Sequence, residues 1–158
     1  MGKTDKAEKT DKSIEQATMI PFPPFDYRVY VYFVNDLLGA VKIVNDKEKL
    51  GMEKRRMEEI ADGGGFHIYH RTRARSYVFL LVNSDSNQIT HESYHVISNI
   101  FRWIEAQHEE ELFAYHLGYL VQMIVQDQKK MLTKRQKRLD KDVGIGYHVP
   151  SVDLPGCN

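Results

Sequence analysis

The stretch Thr90-His91-Glu92-Ser93-Tyr94-His95 carries the residues best suited to chemistry, because it contains the pattern H-E-x-x-H. On an α-helix, residues four apart lie on one face about one turn apart, so His91 and His95 can grip a single metal ion. Neutral imidazoles suit zinc. Glu92 projects beside such an ion, where it can take a proton from water. Thr90 reads as a helix N-cap in front of the motif. The plain alternative is a polar helix face that happens to contain two histidines.

The elements that must hold this motif can be read on either side of it. Phe66 to Arg71 and Ser76 to Val82 read as strands, the second apolar throughout, as in a strand buried on both faces. Period-two alternation puts Phe66, Ile68 and His70 on one face of the first strand, and His67, Tyr69 and Arg71 on the other. The turn residues Asn83 to Asn87 deliver the chain to a helix from about Gln88 to Glu105. On it Ile89, Val96, Ile100, Trp103 and Ile104 form an apolar side, with His91, His95, Ser98, Asn99 and Arg102 opposite. Ala106-Gln107-His108 makes a turn, and a second helix runs from about Glu109 to Lys130. Its apolar stripe is Phe113, Leu117, Leu120 and Ile124. A different stripe carries Glu111, Tyr115, Gly118 and Gln122, with Tyr119 nearby.

Towards the N-terminus, Met1 to about Ala17 is charged and poor in large apolar side chains. This predicts a disordered tail, which leads into an extended Pro21-Phe22-Pro23-Pro24-Phe25 segment. Tyr27 to Val34 reads as a strand and Ala40 to Val44 as a short second one. Asn45 or Asp46 would then cap a helix reaching about Ala61, ended by the loop Asp62-Gly63-Gly64-Gly65. That loop lacks the Lys-Ser/Thr and the preceding strand of a phosphate-binding loop. From Lys129 to Lys141 there are seven Lys or Arg against one Asp. This predicts a solvated helix end, and nucleic acid is not the expected partner because no aromatic residues interleave the charges. Val143 to Asn158 reads as a Gly- and Pro-containing tail.

Composition narrows the classes further. The 158 residues suffice for one domain with a modest core, and 22 basic residues balance 22 acidic ones. One cysteine, Cys157, excludes an intrachain disulfide and a Cys-based metal site. There is no apolar run of membrane-spanning length, no signal-peptide pattern, and no myristoylation or prenylation motif, so no membrane association is expected.

From Tyr77 to Leu120 the chain resembles the zincin metallopeptidases, with a strand, an H-E-x-x-H helix and a following helix that brings a carboxylate. Within that class it is similar to the gluzincin arrangement. The segment Glu111-Leu112-Phe113-Ala114-Tyr115-His116-Leu117-Gly118-Tyr119-Leu120 after the motif resembles small zincin-like proteins encoded by bacteriophages. The resemblance implies an α+β fold, with a few-stranded mixed sheet packed on the H-E-x-x-H helix and a second following helix. Residues 21–128 would form this domain, between an N-terminal tail at 1–20 and a C-terminal tail at 129–158. It implies Zn2+ held by His91, His95 and Glu111 with water as fourth ligand, Glu92 as general base, and Tyr115 or Tyr119 on the oxyanion. The substrate would be a peptide or protein laid along the edge strand Phe66 to Arg71, with His67 or His70 near the rim. The expected setting is the cytoplasm of a bacterial host or a virion, with the tails available to a protein partner. The alternative is a catalytically idle, virion-associated binding module on the same scaffold. The interval from His95 to Glu111 is sixteen residues, which leaves the two out of step in a straight antiparallel hairpin. A steep crossing or an early end to the first helix would bring them together. Otherwise His108, Glu109, Glu110 or His116 stands as a substitute, or the site has no third protein ligand.

Overall fold

The computed structural model describes residues 12–23, 25–53, 55, 57, 60, 63–106 and 110–142. These build a small α+β fold, in which a four-stranded mixed sheet separates two hydrophobic cores. The strands are β1 (Ile14–Phe22), β2 (Tyr27–Val34), β3 (Gly65–His70) and β4 (Arg75–Leu81), in the order β1-β2-β4-β3. β1 runs antiparallel to β2, β2 parallel to β4, and β3 antiparallel to β4. The parallel pair needs a crossover, and α1 (Leu37–Glu48) begins it.

Alternation along the two central strands builds both cores. Val29, Val31, Phe33, Val78 and Leu80 face one side, where α2 (Ser86–Trp103) and α3 (Glu110–Asp142) cover them. Val34, Tyr77 and Phe79 face the other, under Leu37, Ala40, Val41 and Val44 of α1. Within the first layer α2 packs on β3 and β4, whereas α3 packs on α2 and β1. No helix among the described residues is long and apolar enough to cross a membrane.

Three expectations change. The tail expected at 1–20 gives way to strand, since Ile14–Phe22 pairs with β2 and buries Ile20 and Phe22. Its polar residues Glu15, Gln16 and Thr18 are half-buried, Thr18 donating to Asp127 of α3 at 3.0 Å, and its place at the sheet edge explains how Pro21 is tolerated. Residues 1–11 lie outside the described residues. The short strand expected at Ala40 to Val44 is helix instead. Asp36 caps it by accepting from Gly39 N at 3.1 Å, and Leu37, Ala40, Val41 and Val44 follow helical spacing. That helix ends where the next was expected to begin, with Lys49 at φ 53°. Beyond it Met57 N donates to Glu53 O and Ile60 N to Met57 O, and Ile60 is buried. Finally, the tail boundary at 129 changes, because α3 does not end near Lys130 but runs 33 residues to Asp142, with Lys129 to Lys141 as the helix end its charges suggested. Met131 is its last buried residue, and Arg138 reaches Glu15 on β1 at 2.9 Å. Residues 143–158 lie outside the described residues.

Candidate functional site

α2 starts five residues earlier than the N-cap expected at Thr90. Asp85 accepts from Gln88 N at 2.8 Å, while Thr90 sits inside the first turns and donates to Ser86 O at 2.7 Å. This earlier start puts the whole H-E-x-x-H segment in regular helix. Ile89, Ser93, Val96, Ile97, Ile100 and Phe101 point into the core. His91 and His95 are exposed, and their Nε2 atoms face each other at 3.2 Å with the rings at 86°. Glu92 lies between the two faces and is 5% exposed.

A cavity of about 360 Å³ opens beside this face, lined by Gly65, Phe66 and His67 of β3 and by His91, Glu92 and His95 of α2. A second, of about 510 Å³, shares Gly65, His91 and Glu92 and extends past Gly63, Gly64, Asp85, Asn87 and Gln88. The cleft exists because β3 comes close to α2 at a glycine. A Cβ on Gly65 would lie 2.9 Å from Gln88 Nε2, and 3.1 Å from both Glu92 Cγ and Phe79 O. The glycine run, read from sequence as a flexible loop, therefore also supplies a close approach.

Burial governs the protonation of the site. Desolvation raises the Glu92 carboxyl above its ordinary value, opposed by the nearby His91 and by a hydrogen bond from Gln88 Nε2 to Glu92 Oε1 at 2.9 Å. Desolvation lowers His95, and His91 adds to that shift. His95 is thereby held towards the neutral form that a metal requires. Opposite it, the His67 ring lies parallel to that of His95, with centroids 6.4 Å apart. His67 Nε2 is 3.0 Å from the buried Ser76 Oγ, itself 2.8 Å from the OH of the buried Tyr27.

The structure thus brings together His91, Glu92 and His95, and it adds His67 from the edge strand as the rim reading expected. Glu111 and Tyr115 do not line this cavity. The histidine face opens towards β3, whereas α3 packs along α2 and β1, and Glu111 is exposed in its first turn. Tyr115 is 73% exposed and lines a separate cavity of about 130 Å³ with Phe22, Pro23, His116 and Tyr119. His116, a substitute for Glu111 in the sequence reading, packs against Phe22 and Phe101, and its Nδ1 is 2.8 Å from Leu112 O. His70 points to the α1 side of β3 and meets Thr72 at 3.2 Å. His108 and Glu109 lie outside the described residues. Among the described residues no three His, Cys, Asp or Glu groups converge closely enough to hold a metal ion.

Sequence reasoning passed over Gln88, Gly65, Ser76 and Tyr27. Only Gln88 left a local signal, since it stands four residues before Glu92 on the same helix face. Comparison with known proteins gives no match: no family model, curated protein or solved structure aligns with the chain.

Proposed function

We propose that the cleft between α2 and β3 is the active site of a zinc-dependent hydrolase, a zincin-like metallopeptidase acting on a peptide or protein. The observation that carries this reading is the pair of imidazole nitrogens facing each other at 3.2 Å beside a buried carboxylate. Two ligands of a tetrahedral zinc ion, with bonds of about 2.0–2.1 Å, lie roughly 3.3–3.4 Å apart, so His91 and His95 already have the right separation. His91 and His95 would hold the ion, and Glu92 is placed to act as base. When bound, zinc would polarise a substrate carbonyl and make water more acidic. Glu92 takes the proton of the attacking water and returns it to the departing amine, with Gln88 fixing one carboxylate oxygen so that the other can serve. Burial favours this role, because a carboxylate with a raised pKa is a stronger proton acceptor.

Zinc content after purification without chelators, followed by cleavage of an unfolded protein substrate, tests the reading. The expected result is about one zinc per chain, with Glu92→Gln keeping the metal and losing cleavage. A protein that takes up no zinc, or a Glu92→Gln variant with full activity, overturns it. The second reading, a catalytically idle binding module on the same scaffold, has its own support in the lack of a third converging ligand among the described residues. It predicts no cleavage by the zinc-loaded protein.

A further inference from the structure

We propose that the C-terminal half of α3 is a docking surface for duplex nucleic acid, whose phosphate backbone lies along a ladder of lysines at Lys130, Lys134, Lys137 and Lys141. This surface lies outside the hydrolase cleft and does not depend on that reading.

Helix geometry makes the ladder. The four lysines are spaced four, three and four residues apart, so they fall within about 60° of one another and climb by roughly 6, 4.5 and 6 Å. All four are exposed. Lys134, Lys137 and Lys141 have no hydrogen bond or ion pair among the described residues, and Lys130 meets Asp127 at 3.2 Å. Asp140, the one acid of the run, accepts from Gln136 at 2.8 Å on another side of the helix. Arg138 has a different task. It reaches Glu15 at 2.9 Å and ties this part of α3 to β1, beyond Met131, the last buried residue of the helix.

A merely solvated helix end does not account for the pattern. Cations favour a helix C-terminus only within its last turn, and Lys130, Lys134 and Lys137 stand before it. Like charges three and four residues apart destabilise a helix, where alternating signs would keep it equally soluble. The chain has the acids for that, since 22 of them balance 22 bases, yet seven Lys or Arg stand against one Asp between Lys129 and Lys141. The rest is therefore net acidic, and a polyanion is steered to this segment. Phosphates lying between the lysines relieve their repulsion.

The regularity of the ladder selects among anions. It runs about 16 Å in line, over which duplex DNA presents about ten charges. Aromatic side chains stack on single strands, so their absence from this run counts against that form alone. Duplex phosphates need cations and no stacking. A bilayer fits less well, because Leu132 and Leu139, the exposed large apolar residues of this stretch, offer little surface to bury in an interface.

The test is fluorescence anisotropy of a labelled DNA duplex of about 20 base pairs, titrated with the full chain at several salt concentrations. The logarithm of the association constant should fall against log salt with a slope of about −3, which makes binding on the order of fiftyfold weaker at about 0.2 M than at about 0.05 M. A duplex of unrelated sequence should bind equally. Lys134→Gln with Lys137→Gln should reduce the slope to about −1. Lys134→Arg with Lys137→Arg should keep it, as should Lys42→Gln with Lys47→Gln, which removes the same charge from exposed positions on α1. Circular dichroism of each variant separates lost contact from lost fold. No saturable binding at the lower salt overturns the proposal, and so does an equal loss in the two glutamine pairs, which would make net charge the cause. Tighter binding of phosphatidylserine vesicles or of polyglutamate than of the duplex overturns it too, in favour of a membrane or an acidic protein.

Discussion

The two flanks of α2 hold histidines under opposite conditions. On the α3 flank His116 is settled by packing. Its ring lies between Phe22 and Phe101, and its Nδ1 is matched by a carbonyl one turn back on its own helix. On the β3 flank His91 and His95 turn their nitrogens towards each other beside a buried carboxyl. Packing is the reason for the first arrangement. The second has unfavourable electrostatics, because desolvation opposes the ionised forms of both Glu92 and His95. Groups kept in such surroundings are candidates for function. Aromatic contacts stabilise one flank, and the other leaves an open cleft lined by His67, His91, Glu92 and His95.

Substitutions on the two flanks should therefore fail in different ways. The largest effect is expected for His91→Ala or His95→Ala, each lowering zinc affinity more than a hundredfold, since losing a ligand should exceed the 10–100-fold typical of its supporting groups. His116→Ala should leave zinc affinity unchanged and instead lose about 1–3 kcal/mol of stability by emptying the space between two phenylalanines. Calorimetric titration with zinc and chemical denaturation of the same variants measure the two axes. Loss of zinc affinity in His116→Ala would break the comparison.

Gly65→Ala is expected to come next. The new methyl would meet Phe79 O, a backbone atom that cannot turn away, and press on Gln88 and Glu92. A cost of about 1–3 kcal/mol in denaturant unfolding follows from overpacking at a tight contact. Gly118→Ala on the other flank meets nothing within 4 Å among the described residues and should stabilise α3, by up to about 1 kcal/mol.

The difference between the flanks also marks where the sequence was readable. H-E-x-x-H and the alternation of Phe66 to Arg71 placed His91, Glu92, His95 and His67 on the faces that meet, because both rely on local periodicity. Ala40 to Val44 was ambiguous, since a short apolar run fits a strand or one side of a helix, and the deciding cap at Asp36 looked like turn punctuation. β1 was hidden by the polar residues Glu15, Gln16 and Thr18 in its first half, which meet α3 instead of solvent alone. The stripe pattern of α3 identified its buried side, yet periodicity cannot say which flank of α2 a neighbouring helix takes. It was the family resemblance that put Glu111 at the cavity, and α3 lies along the side where β1 runs. Contacts such as Tyr27 to Ser76, 49 residues apart, have no local signature at all.

A smaller effect sharpens the comparison through pH. The folded pKa of Glu92 is raised above the ordinary value of 4.5, so its neutral form is the one the fold favours. Its stabilising contribution is complete below that value and is lost as pH rises through the folded pKa. Glu92→Gln keeps a partner for Gln88 without the charge. At neutral pH the metal-free variant should be more stable than wild type, by on the order of 1 kcal/mol. The gain should vanish below about pH 4.5, near the ordinary carboxyl value. Thermal melts of the metal-free proteins across this range measure it. A Gln variant less stable than wild type at neutral pH would mean that the Glu92 carboxylate is stabilised where it lies.

The smallest expected effect concerns Ser93, within the motif but facing the core. Its hydroxyl is fully buried and has no hydrogen-bond partner among the described residues, with neighbours such as Ile89, Val96 and Ile97. A buried hydroxyl left unmatched costs about 1–3 kcal/mol, and alanine removes that cost at the expense of one small void. Alanine also has the higher helix propensity, by a few tenths of a kcal/mol. Ser93→Ala should therefore raise stability by up to about 1 kcal/mol while leaving zinc affinity alone, because the side chain points away from His91 and His95. Denaturant unfolding of the variant decides the sign. Destabilisation would show that the hydroxyl is matched in solution, and the polar layer beneath the cleft would then reach deeper than Ser76 and Tyr27.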